Sequence, residues 1–340
     1  MAVSQSIIEQ VYVQQESTWG QIPNSSGTAT VAGGDAMRHT KCDITAEQQE
    51  IPDKDKTGSI SYTRGSSGAR GARYSLTWEA RPNGAAGVEP DFDPLLVAAF
   101  GQAGTVVAST SVTYSLANVI KSFTLYRFRQ SSSVMQQAVA GAVIQELDFS
   151  FALDANCTFT ASGTGLWVPD SKGFSALDST GKAGLSAFPA DPGSPTTNGN
   201  PVNGLSGSAT IDGNTDIQIT AASLKIAPGI QIPRDRLFSG RYGSSPERDR
   251  ITATLDLTII DEDIASITSL YQKAQAGTAV DITLIAGSGA GTSITWTLSN
   301  CLLPQPGLND SARKWASDLR GIQAFPTSTT SLDEITLAFT

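Results

Sequence analysis

SVTYSLANVI at residues 111–120 and SITWTLSNCL at residues 293–302 are one strand written twice. Ser, Thr, Leu and Asn coincide, and all but one of the remaining positions are conservative exchanges such as Val for Ile and Tyr for Trp. Both stretches alternate polar and apolar side chains with period two, which places one face in a core and the other against water.

Working outward, Ala103-Gly104-Thr105 precedes the first stretch as Ala276-Gly277-Thr278 precedes the second. Further upstream, Ile51-Pro52 is followed by Asp53, Lys54 and Asp55, and Ile232-Pro233 by Arg234, Asp235 and Arg236. Sixty positions separate Ile51 from Ser111, and sixty-one separate Ile232 from Ser293. A shared order over such a length is a domain duplication, too long for a solenoid period. It divides the chain into a first β unit with an N-terminal arm (residues 1–167), a Pro/Gly/Ser-rich linker (168–204) and a second β unit (205–340). The densest part of the linker, FPADPGSPTTNGNPVNG at 188–204, sustains neither strand nor helix and reads as an extended surface crossover. Two similar units in one chain imitate two subunits, so a ring of three chains can carry quasi-sixfold symmetry.

Other segments alternate in the same way: RYSLTW at 73–78, SFTLYRF at 122–128, QELDFSFAL at 145–153, TATLDLTI at 252–259 and DEITLAF at 333–339. Helical signals are few. DPLLVAAF at 93–100 has Asp93 as a plausible N-cap, Pro94 at the first helical position and Gly101 as a stop. Residues 263–276 place Ile264, Ile267, Leu270 and Tyr271 on one face, with Gly277 just beyond. The expected fold is mainly β: two tandem sandwich or barrel units, each flanked by one short helix.

Composition agrees. Of 340 residues 39% are hydrophobic and 32 are Gly, a mixture suited to short strands and many turns. The net charge of −9 disfavours a grip on nucleic acid, although an acidic wall lets DNA slide past. Cys42, Cys157 and Cys301 are odd in number and far apart, as expected of buried thiols in a reducing compartment rather than disulfides or metal ligands. No secretory signal and no run of about 18 apolar residues is visible, so no membrane insertion is expected.

Enzymatic readings find little footing, and no cofactor is expected. His39 is the only histidine, which leaves no multi-His metal site and makes any histidine triad hang on one residue. Asp91 and Asp93, like Asp261, Glu262 and Asp263, stand at helix starts, where capping accounts for them better than acid–base chemistry. GSGAG at 287–291 lacks the Lys-Ser/Thr ending of a phosphate loop and reads as a hairpin turn; GSSGARG at 65–71 reads as a loop tip.

Several motifs together resemble the tail tube proteins of long-tailed bacteriophages. ESTWGQIP at 16–23 is similar to that family's E-x-T-W/Y-G-x-x-P opening, and DFDPLLVAAF at 91–100 to its acidic helix start. GAVIQELDFSF at 141–151 after SFTLYRF resembles its central hairpin, and RGIQAF at 320–325 with DEITLAF its closing strands. The resemblance runs from residue 16 to the end, thinning between 168 and 205, and departs from the commoner single-unit members by its second copy. It implies a non-enzymatic structural subunit whose strands join those of neighbours into a channel wall, stacked as rings with genome passing through without specific binding. It also implies a place in the virion tail, assembly in the host cytoplasm, and a tape-measure protein and tail terminator as partners. The lumen is expected to be net acidic. The two charged, Gly-bearing loops, with Asp53, Lys54, Arg64, Arg70, Arg234, Asp235, Arg236, Arg241 and Arg248, are candidates for ring-to-ring contact. Two other readings fit a β-rich chain, a capsid-decorating protein and a carbohydrate-binding sandwich. The latter wants exposed aromatics, whereas Trp78, Trp167, Trp296 and Trp315 fall in patterns of core or interface.

Overall fold

The computed structural model describes residues 9–25, 27–54, 65–129, 134–174, 185–234, 242–262, 264–311 and 314–340. The chain is mainly β, and its alternating segments form two large antiparallel sheets. The longest path in the first sheet runs Gly307–Ser311, Lys314–Gln323, Thr252–Ile260, Ile219–Ala227, Gln137–Phe151, Thr158–Gly165, Ser66–Glu79, Lys41–Ile51. This is one four-strand order written twice. Each set of four begins with a hairpin (41–51 with 66–79, or 219–227 with 252–260) and continues, inward in the first set and outward in the second, with a later strand and that strand's own partner. The halves meet where Gln137–Phe151 pairs with Ile219–Ala227, in the register Leu147↔Ile226, Phe149↔Leu224, Phe151↔Ala222.

The fifteen-residue strand Gln137–Phe151 serves two neighbourhoods. Its first part pairs with Phe123–Arg129, which in turn pairs with Glu9–Gln15; its second part enters the eight-strand path. The change of direction falls at register shifts around Gly141, whose φ of +64° suits glycine alone at low cost.

The second sheet runs Gly207–Ile211, Val280–Ala286, Ile294–Cys301, Ile335–Phe339, Ser111–Ser115, Thr105–Val107. The two repeated stretches flank Ile335–Phe339, with Trp296↔Leu337 on one side and Leu337↔Tyr114 on the other. Strands from either side of the linker therefore share both sheets, and between the sheets lies one continuous core. Its centre is aromatic: Phe149 and Phe159 lie 4.6 Å apart, Trp78 stacks on Phe159 at 5.4 Å, and Trp296 meets Phe149 at 5.6 Å. Truncating such a buried ring costs about 3–5 kcal/mol, since the pocket cannot fully collapse.

Both helices form where the spacing predicts, but their starts differ from the expected caps. Helix Asp93–Phe100 has Phe92, not Asp93, at its N-cap, and the Leu95 N–H donates to the Phe92 carbonyl at 3.0 Å. Asp93 instead accepts a hydrogen bond from Tyr114 Oη at 2.6 Å, and Asp91 accepts one from the Asn198 N–H at 2.8 Å. Helix Ala265–Ala276 begins at Ile264 with no side-chain cap and no acidic residue in its first turn, and buries Ile267 and Leu270. Gly101 and Gly277 close the two helices in left-handed conformation. The GSSGARG segment differs too: residues 66–71 belong to strand Ser66–Glu79, paired to 47–51, because glycines are tolerated in the paired arm of a long hairpin.

Residues 185–200 carry no strand or helix, and the stretch through Val202 is tied to residues between 33 and 80. Thr196 N–H donates to Gly33 O at 2.8 Å, Arg38 Nε to Thr197 at 2.8 Å, and Val202 N–H to Ala80 O at 2.9 Å. All three cysteines are buried and unpaired with one another, as their spacing predicts. Among the described residues no helix is long and apolar enough to cross a membrane.

Candidate assembly interface

Period-two alternation gives the eight-strand path two unlike faces. Tyr74, Leu76, Trp78, Phe149, Phe159, Leu224, Leu255 and Leu257 point into the core. The alternate positions are in register with one another, as in Lys41–Thr77–Thr160–Asp148–Lys225 and Glu79–Thr158–Ser150–Ser223–Asp256. That face is built of Ser, Thr and charge. Among the residues whose side chains are described, its acids are Asp43, Glu47, Glu79, Glu146, Asp148, Asp256 and Asp318, against the bases Lys41, Arg73, Lys225 and Arg320 and the Arg234 guanidinium seated on Glu47, an excess of two negative charges. Lys225 pairs with Glu146 at 2.5 Å across the junction of the two halves. Burial, and then the neighbouring Glu146 charge, push the Asp148 carboxyl up to about 6.

The rim strands of the path, Lys41–Ile51 at one end and Gly307–Ser311 at the other, each have one edge with no strand partner among the described residues. Unpaired edges invite pairing with another chain. The second rim also shows large apolar side chains to water: Leu308 and Trp315 are each 65% exposed. Trp78, Trp167 and Trp296 are buried, so the expectation of core or interface holds for all but Trp315 as core.

The loop residues chosen from sequence are distributed unevenly. Arg64, Asp235, Arg236 and Arg241 lie outside the described residues. Asp53 and Lys54 stand at the foot of the first loop, half-buried and exposed respectively. Arg70 sits in strand Ser66–Glu79 with its Nε buried and without a hydrogen-bond partner. Arg234 turns inward: Nη1 meets Glu47 at 2.8 Å and Nη2 donates to the Gly165 carbonyl at 3.3 Å. Glycine at position 71 makes this possible, since a Cβ there would overlap the Arg234 guanidinium. Arg248 donates from Nη1 to the Ala117 carbonyl at 2.5 Å. The foot of the second loop is thus held by two arginines on Glu47, Gly165 and Ala117. Glu47, the carboxylate that receives Arg234 and also Arg73 at 2.5 Å, carries no local signal in sequence beyond its place on a strand edge.

The Glu16 motif forms a clasp. Glu16 is 5% exposed, and four groups donate to its carboxylate: Gly20 N–H (2.8 Å), Gly141 N–H (2.8 Å), Ser122 Oγ (2.7 Å) and Thr124 Oγ1 (2.7 Å). Burial pushes its carboxyl up, and these donors pull back toward the anion. Trp19 Nε1 donates to the Gly141 carbonyl at 3.3 Å. Gly20 has φ +74°, and a Cβ there would stand 2.6 Å from Leu166 Cδ2. Glu, Trp and Gly at this spacing therefore fasten the arm to the bend of the central strand. His39 is likewise structural, 3.2 Å from Glu9, which also binds Arg127 at 2.7 Å.

No curated protein matches the chain with significance. A family model described as phage tail tube protein matches residues 9–330. That match spans nearly the whole sequence, and the chain belongs to the phage tail tube protein family.

Proposed function

We propose that the chain is the repeating subunit of a phage tail tube, polymerising as stacked rings of three around a channel for the genome. The strand order carries the reading. Inside the chain, the second half's rim (219–227) pairs with the first half's rim (137–151), and the two rims left over are their counterparts, 41–51 and 307–311. Repeating the internal junction between chains joins 307–311 of one to 41–51 of the next. Three chains of eight strands close a ring of twenty-four. This supports reading 1–167 and 205–340 as quasi-equivalent copies joined by the linker 168–204.

The Ser/Thr-rich acidic face becomes the channel wall. Its excess of negative charge repels phosphate, so DNA passes without being held. The loops beyond Pro52 and Pro233 reach the adjoining ring through Arg64, Asp235, Arg236 and Arg241, with Asp53 and Lys54 at the foot of the first, Arg70 in its strand, and Arg234 and Arg248 holding the foot of the second. Chemistry is not the chain's task. It works in the virion tail after assembly in the host cytoplasm, with a tape-measure protein setting length and a terminator closing the stack.

Electron microscopy of the purified protein tests this. Rings or tubes with a central channel are expected, and the mass of one ring equals three chains. A monodisperse monomer at high concentration refutes the assignment, and six chains per ring refutes the trimer.

A further inference from the structure

Aligned by the repeat, the two copies bury different surfaces. Ile232, at the foot of the second loop, is 9% exposed and clusters with Val143 and Ile230, and Ile120 packs against the same cluster. Arg248 fixes this foot by its bond to Ala117 O, three residues before Ile120. The Ile-Pro alignment makes Ile51 the counterpart of Ile232, and the ten-residue strand alignment makes Leu302 the counterpart of Ile120. Those counterparts are 49% and 41% exposed. They cannot meet within one chain, because Ile51 ends the strand at one rim of the eight-strand path and Leu302 leads into the strand at the other.

We propose that Ile51 of one copy of this chain joins one apolar cluster with Leu302 of the next, repeating between chains the cluster that Ile232 and Ile120 share within it. The occupant is a second copy because both halves of the contact have their template in this sequence, and each half alone is an exposed aliphatic side chain beside an unpaired rim. Leu308 on the rim strand and Trp315 on its neighbour are each 65% exposed as well. Two different surfaces meet, so the association is head-to-tail and closes only as a ring. The foot of the first loop then belongs to the seam within a ring, and only the loop beyond it is free to reach the ring above. The inference rests on the chain being a self-assembling subunit and adds which residues meet.

The test uses two single variants of the full chain, Ile51→Asp and Leu302→Asp. Each loses one side of the contact and stays monomeric by sedimentation, with an unchanged far-ultraviolet spectrum. Mixed in equal amounts, they retain one intact pair between them and form a one-to-one dimer that grows no further. Footprinting of the wild type with hydroxyl radicals guards against misfolded variants: oxidation of Ile51 and Leu302 falls at least about threefold on assembly, while that of the exposed Val88 does not change. A wild type that assembles with both residues still reactive, or variants that assemble as well as wild type, overturns the contact and leaves the tube reading standing. A wild type that remains monomeric overturns both.

Discussion

Replacing Glu16 should unfasten the N-terminal arm at a cost set by its four donors. Glu16→Ala leaves Gly20 N–H, Gly141 N–H, Ser122 Oγ and Thr124 Oγ1 without their acceptor. The two hydroxyls can rotate toward other acceptors, but the two backbone N–H groups are fixed by chain geometry. An unsatisfied buried donor costs about 1–3 kcal/mol and bonds to a charged acceptor are at the upper end, so the alanine variant loses about 3–5 kcal/mol after partial hydration of the space. Glu16→Gln keeps one acceptor oxygen and turns an amide against a donor, for a loss of about 2–3 kcal/mol. Urea denaturation of the unassembled chain, with hydrogen exchange at 16–23 and 120–124, measures both. A loss under about 1 kcal/mol for the alanine variant, or exchange unchanged in these segments, refutes the clasp as a determinant of stability.

Gly71→Ala pushes the Arg234 guanidinium off its seat, so a double-mutant cycle between Arg234→Ala and Glu47→Gln, worth about 1 kcal/mol for a partly buried pair, should vanish in the Gly71→Ala background. Burial pushes the Cys42 and Cys301 thiols up to about 12 and raises that of Cys157. A thiol reagent at pH 8 is therefore expected to label none of the three in the native chain and all three in denaturant. Asp148 holds its proton to about 6, above its unfolded value. Its contribution is present in full at low pH and is lost as pH rises from about 4 through about 6, so Asp148→Asn flattens the stability profile in that window and leaves it unchanged outside it.

Much of this architecture is legible in the sequence because alternation and repetition are local signals. TATLDLTI and RYSLTW read as half-buried strands, and Leu255, Leu257, Leu76 and Trp78 lie on the core face as the period requires. What the sequence conceals is partnership over distance. Nothing near Ile335 announces that its strand lies between 111–115 and 294–301, so the chain shares both sheets between its halves. Glycine misleads at 66–71, where it reads as punctuation but provides room for Arg234. The Glu16 motif is visible, yet its role depends on Gly141, 125 positions away.

The strand Ile335–Phe339 has a consequence for how the protein is made. Ser115 must wait for Thr336, and Leu298 for Ile335, so the middle of the second sheet stays open until that strand has been synthesised. Pairing over so many residues is slow to form and leaves bare strand edges exposed in the interval. A chain cut short before Ile335 lacks the piece that joins its two halves on that side. Ribosomal order thereby holds back closure of the second sheet until Ile335–Phe339 has been made.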